Sequence, residues 1–83
     1  MLEACLRKAG KSAEEAAVDR KSAPWKIAIA AVLKRKTQAS NSWIAGKLRM
    51  GVAKNVSNYV GLLRDGKVKG SDVYEQILRK PES

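Results

Sequence analysis

The sequence predicts an all-α protein, a small helical bundle containing a helix-turn-helix. Apolar residues recur at helical spacing, as at Val56, Tyr59, Val60 and Leu63, which puts them on a single stripe. No stretch alternates apolar and polar residues as a half-buried strand would. Turn signals at Gly10, Gly51, Asp65-Gly66 and Lys69-Gly70 divide the patterned stretches into short helices. With 83 residues, 45% of them hydrophobic, the chain makes one small domain that buries roughly 60% of its unfolded surface. Phe is absent, so Trp25, Trp43, Tyr59, Tyr74 and the aliphatic side chains must supply most of the core, and Trp43, which could instead stack on a base, is expected as a core anchor.

From Leu2 to Arg20 the chain is rich in Ala, Glu, Lys and Leu and is divided by Gly10 and Ser12. Two short helices or a partly disordered arm both fit residues 1–23. Ser12 followed by Glu15 has the form of a capping box, and Cys5 reads as a small apolar residue near a frayed end. Ser22-Ala23-Pro24 announces a firm helix start, with Pro in the first turn where its missing donor costs nothing. The helix from Pro24 to about Lys36 carries Trp25, Ala28, Ile29, Val32 and Leu33 on one side, widened by Ile27, Ala30 and Ala31. That breadth marks it as the central, most buried element. Its terminal Lys34, Arg35 and Lys36 favour a helix C-terminus.

Thr37 to Asn41 is a polar connection in which Ser40 or Asn41 caps the next helix. That helix sets Ile44, Ala45 and Leu48 on one face, and Met50 and Gly51 begin a turn. In the helix that follows, the apolar stripe leaves Lys54, Asn55, Ser57, Asn58, Gly61 and Arg64 pointing elsewhere. The step from Leu48 to Val56 is longer than the commonest helix-turn-helix spacing, so this helix begins at one of Val52, Ala53, Lys54 or Asn55. Gly61 costs its helix about 1 kcal/mol relative to Ala; close backbone approach to DNA or to a neighbouring helix would account for it, and close helix packing is the expected reason. Ser71 opens a last helix to about Arg79, where Val73, Tyr74, Ile77 and Leu78 return to the core and Pro81 stops it. Residues 24–79 thus form the main unit and 80–83 a tail.

Charge is unevenly placed. Residues 1–23 hold five Lys or Arg against four acids, residues 24–69 ten against one, and residues 70–83 two against three, so the net charge of +9 falls on the middle segment. A surface built for solubility mixes both signs, whereas a one-signed field suits a partner made of phosphates. A helix offering short amides, a hydroxyl and cations matches base edges and phosphates in a major groove. Double-stranded DNA is therefore the expected partner. Lys54, Asn55, Ser57 and Asn58 are the expected base contacts, and Lys34, Arg35, Lys36, Lys47, Arg49, Arg64 and Lys67 the expected phosphate contacts. An RNA-binding or protein-interaction helical module is the alternative.

Other classes find less support. A single Cys excludes an internal disulfide, and the absence of His removes the usual zinc ligand sets, so no metal or cofactor is expected. No carboxylate pair, Cys/His arrangement or phosphate-cradling glycine loop points to an enzyme. The start M-L-E-A-C-L-R-K has an early acid and no apolar run, unlike a secretory signal. The run Ile27 to Leu33 falls far short of a membrane span. The expectation is a cytoplasmic protein, nucleoid-associated if bacterial, with no membrane partner and no small-molecule ligand.

The run W-I-A-x-x-L-x-M-G-x-x-x-x-V-S at Trp43 to Ser57, preceded by K-I-A-I-A-A-V-L-K-R-K-T at Lys26 to Thr37, resembles the C-terminal region of REP-associated tyrosine transposases. In those proteins this region is a DNA-binding helix-turn-helix similar to the Trp-repressor-like group. The resemblance covers about Pro24 to Arg64. It implies DNA binding without cleavage, because those transposases cut with a Tyr beside a metal held by a His-hydrophobe-His motif and this chain has no His. Tyr59 and Tyr74 are accordingly expected to pack. The resemblance also implies either the DNA-binding end of a longer transposase or a stand-alone protein that kept only the binding unit.

Overall fold

The computed structural model describes residues 2–79. Six helices occur among them and no strand: α1 (Leu2–Ala9), α2 (Ala13–Val18), α3 (Pro24–Lys36), α4 (Asn41–Leu48), α5 (Ala53–Arg64) and α6 (Ser71–Arg79). The tail at 80–83, with the stop expected at Pro81, lies outside the described residues. No helix among those described is long and apolar enough to cross a membrane.

The broad apolar surface of α3 makes it the hub. Every residue from Trp25 to Leu33 is buried, and α1, α4, α5 and α6 all pack against this helix. Pro24 opens it, and Thr37 closes it by donating both its backbone N–H (2.9 Å) and its hydroxyl (2.7 Å) to the Leu33 carbonyl. The same hydroxyl accepts from the Ala39 N–H at 3.1 Å, which steers the chain into the connection.

Of the two readings open for the N-terminal segment, helices form. The Ser12 hydroxyl accepts from the Glu15 N–H at 3.3 Å and starts α2. α1 packs on α3 and α6, and α2 packs on α4. Cys5 is a core residue, only 1% exposed and clustered with the α3 side chains, and this corrects its expected place near a frayed end. The Gln76 amide donates to the Lys8 carbonyl at 2.8 Å and ties α6 to the end of α1.

Lys26 is the buried polar residue of the described chain, 0% exposed in the middle of the apolar helix. Its ammonium donates to the carbonyls of Ala16 (2.6 Å), Asp19 (3.0 Å) and Arg49 (3.5 Å). The carbonyls that α2 and α4 leave unpaired at their C-terminal ends thus find a cation, and the cation finds the partners that its burial requires. Beside it, the Trp25 indole N–H donates to the Asp19 carboxylate at 2.8 Å.

The second tryptophan departs from expectation. Trp43 is 44% exposed, not a core anchor. Ile44, Ala45 and Leu48 claim the buried face of α4, and Trp43, one position before Ile44, is carried round to the outside by the helical turn.

Candidate nucleic-acid interface

The segment singled out by its pattern folds as two helices around a tight corner. Ser40 is the N-cap of α4, its hydroxyl accepting from the Trp43 N–H at 3.1 Å, and Asn41 is the first helical residue. At the other end, Arg49 adopts the left-handed conformation with φ 55° and ψ 48°. The Met50 N–H returns to the Ala45 carbonyl at 2.9 Å, a Schellman-type closure. Met50 itself is fully buried and pins the corner to the core. Gly51 follows with φ 95°, where a side chain would be strained. A Cβ there would also lie 2.7 Å from the Asn55 amide nitrogen. α5 begins at Ala53, with Val52 as an N-cap that offers no side-chain oxygen.

Asn55 has a role in this corner that the sequence did not disclose. Its side-chain amide donates to the Met50 carbonyl at 3.0 Å and is half-buried. Of the four expected base contacts, Lys54, Ser57 and Asn58 are exposed on α5, while Asn55 faces back into the turn. Val56 and Leu63 are buried on the opposite side, and Tyr59 and Val60 pack partly against the core. Ser57, Asn58, Gly61, Leu62 and Asp65 line one shallow surface depression. A Cβ added at Gly61 would meet no other atom within 4 Å. Helix packing therefore does not explain this glycine, contrary to expectation, and its bare backbone opens onto the free side of α5.

All seven expected phosphate contacts, Lys34, Arg35, Lys36, Lys47, Arg49, Arg64 and Lys67, are exposed. They do not form one cluster. Lys34, Arg35 and Arg64 line a groove with α6, whereas Lys47 belongs to the outer side of α4, its ammonium 5.9 Å from the centre of the exposed Trp43 ring. Arg64 lies 3.6 Å from Asp65, and both side chains are largely exposed, so the pair neutralises little. The cation counted in this segment that cannot serve is Lys26, which is spent inside the fold.

Comparison with protein-family models, with curated proteins and with solved structures returns no match. The likeness to transposase C-terminal regions therefore rests on the residues quoted for it. Two features lay beyond a reading of the sequence. Exposure of Trp43 had a faint signal in Lys47 one turn later, a spacing that places a cation beside a ring on a helix surface. The tie between Asn55 and the Met50 carbonyl had none, because it depends on the path of the corner.

Proposed function

We propose that the chain is a sequence-recognising double-stranded DNA-binding domain in which α4, the corner at residues 49–52 and α5 form a helix-turn-helix, with α5 lying in the major groove. The observation that carries this reading is the free side of α5. Lys54, Ser57 and Asn58 stand exposed there, with the open backbone of Gly61 on the same helix, above Val56 and Leu63 in the core.

Each group suits a role. Asn58 and Ser57 offer donors and acceptors to base edges, and Lys54 offers a cation to a guanine edge or a phosphate. Gly61 permits the close approach of a sugar-phosphate backbone that a side chain would obstruct. Lys47, Arg49 and Lys67, with Lys34, Arg35, Lys36 and Arg64, supply the field that draws in the polyanion. Asn55 is reassigned in this reading from base contact to support of the corner, since its half-buried side chain turns back to donate to the Met50 carbonyl. The resemblance to the C-terminal region of REP-associated tyrosine transposases agrees with this reading. On that likeness the chain would be either the DNA-binding end of a longer transposase or a stand-alone protein that kept only the binding unit.

An NMR titration with a random duplex pool at two salt concentrations tests it. Amide shifts should concentrate on residues 47 to 67, led by Lys54, Ser57, Asn58 and Gly61, and shrink as salt rises. A response centred on residues 2 to 20 would overturn the proposal.

A further inference from the structure

A second surface lies on another side of α5. Between the C-terminal parts of α3 and α5 and the first turns of α6 runs an open groove of about 490 Å³. Its floor is apolar, with Ala31 and Leu63 buried and Val60 and Tyr74 half-buried. Its rim is cationic, with Lys34 and Arg35 on the α3 wall and Arg64 on the α5 wall, all exposed. The Arg35 guanidinium donates to the Tyr74 phenol oxygen at 3.2 Å, so one of these cations is held in place at the groove. The acid within the groove, Glu75, lies 3.5 Å from Arg79. Lys34 has no acid within salt-bridge distance among the described residues.

We propose that this groove docks an acidic segment of a partner protein, seating one large apolar side chain on the floor and placing Asp or Glu on either side against Lys34, Arg35 and Arg64. The charge pattern selects this occupant. Duplex DNA could satisfy the cations but has no apolar side chain for the floor, which would stay wet. A small carboxylate could fill the floor but would reach one wall only, whereas the cations stand on two. A peptide with acids flanking a hydrophobic residue spans both walls and removes the apolar area from water. The apolar floor is separate from Ser57, Asn58 and Gly61, which line their own depression; the cations of the rim are shared with the field proposed for DNA, so a change to the floor is what tells the two apart.

The test is fluorescence anisotropy with a labelled peptide carrying one Phe between pairs of Glu, alongside an all-Glu peptide and phenylacetate as competitors. Saturable binding is expected, with amide shifts at Ala31, Val60, Leu63 and Tyr74. The double variant Arg35→Glu, Arg64→Glu should weaken it at least about tenfold by placing like charges against the peptide. Ala31→Leu, which fills the floor, should weaken the peptide comparably while leaving duplex affinity unchanged. If Ala31→Leu fails to fold, Tyr74→Phe carries the test, since it removes the hydroxyl that positions Arg35 and should cost about fivefold. Absence of saturable binding, equal binding of the all-Glu peptide, full displacement by phenylacetate at peptide concentration, or indifference to whichever of Ala31→Leu and Tyr74→Phe is folded would each overturn the proposal.

Discussion

Two tryptophans on neighbouring helices meet opposite fates, and the difference is measurable. Trp25 is 6% exposed and its indole N–H is satisfied by Asp19, whereas Trp43 is 44% exposed with Lys47 beside its ring. Trp25→Ala should cost about 3 to 5 kcal/mol by opening the core, a large share of the stability of a domain this small. Trp43→Ala should cost under about 1 kcal/mol. Urea denaturation of both variants checks this, and similar losses would contradict the exposure of Trp43. The residues facing the core were legible from spacing, because Ile44 and Leu48 on α4 and Val56 and Leu63 on α5 recur with the helical period. Trp43 was misread because hydrophobicity alone placed it inside, while its position before Ile44 placed it outside.

Helices here are held as much by their ends as by their faces. Gly51 and Gly61 make the contrast within one pair of elements. Gly51→Ala should destabilise by about 1 to 2 kcal/mol, since the corner requires φ 95° and a Cβ would push the Asn55 amide aside. Gly61→Ala should stabilise by up to about 1 kcal/mol, since its Cβ would enter open space, and should weaken duplex binding if a DNA backbone approaches there. Thermal melts and binding isotherms of the two variants separate these effects. At the junction of α2, α3 and α4, the pH response follows from Asp19 and Lys26. The Trp25 indole, then the Arg20 backbone N–H, hold the Asp19 carboxyl below its ordinary 3.8, so its stabilisation is present above that pH and is lost as pH falls through the lowered value. Burial pushes Lys26 below its ordinary 10.5. Between the lowered value and 10.5 the unfolded chain holds the proton more tightly, so stability should rise with pH across that window. Denaturation across pH should show both limbs, with Asp19→Asn flattening the acid one and Lys26→Met the alkaline one.

At the scale of the whole molecule the dominant quantity is a net charge of +9 with a single acid between Asp19 and Asp72. Duplex affinity should fall by about 10³-fold between roughly 50 and 200 mM salt if six or more of the proposed cations meet phosphates. Neutralising one of them, as in Lys67→Gln, should lower the log-log salt slope by about one without changing sequence preference. A flat salt response would remove the polyanion from consideration. By itself the sequence determined the helical class, the span of α3, the Ser12 start, the turns and the charge bias, because each follows from local period, local capping chemistry or simple counting. Only the tertiary structure decided that Lys26 serves the core, that Asn55 serves the corner, that Cys5 is buried and that Trp43 is not. Those outcomes depend on which carbonyls and faces from distant parts of the chain meet at one point, and no local pattern encodes that meeting.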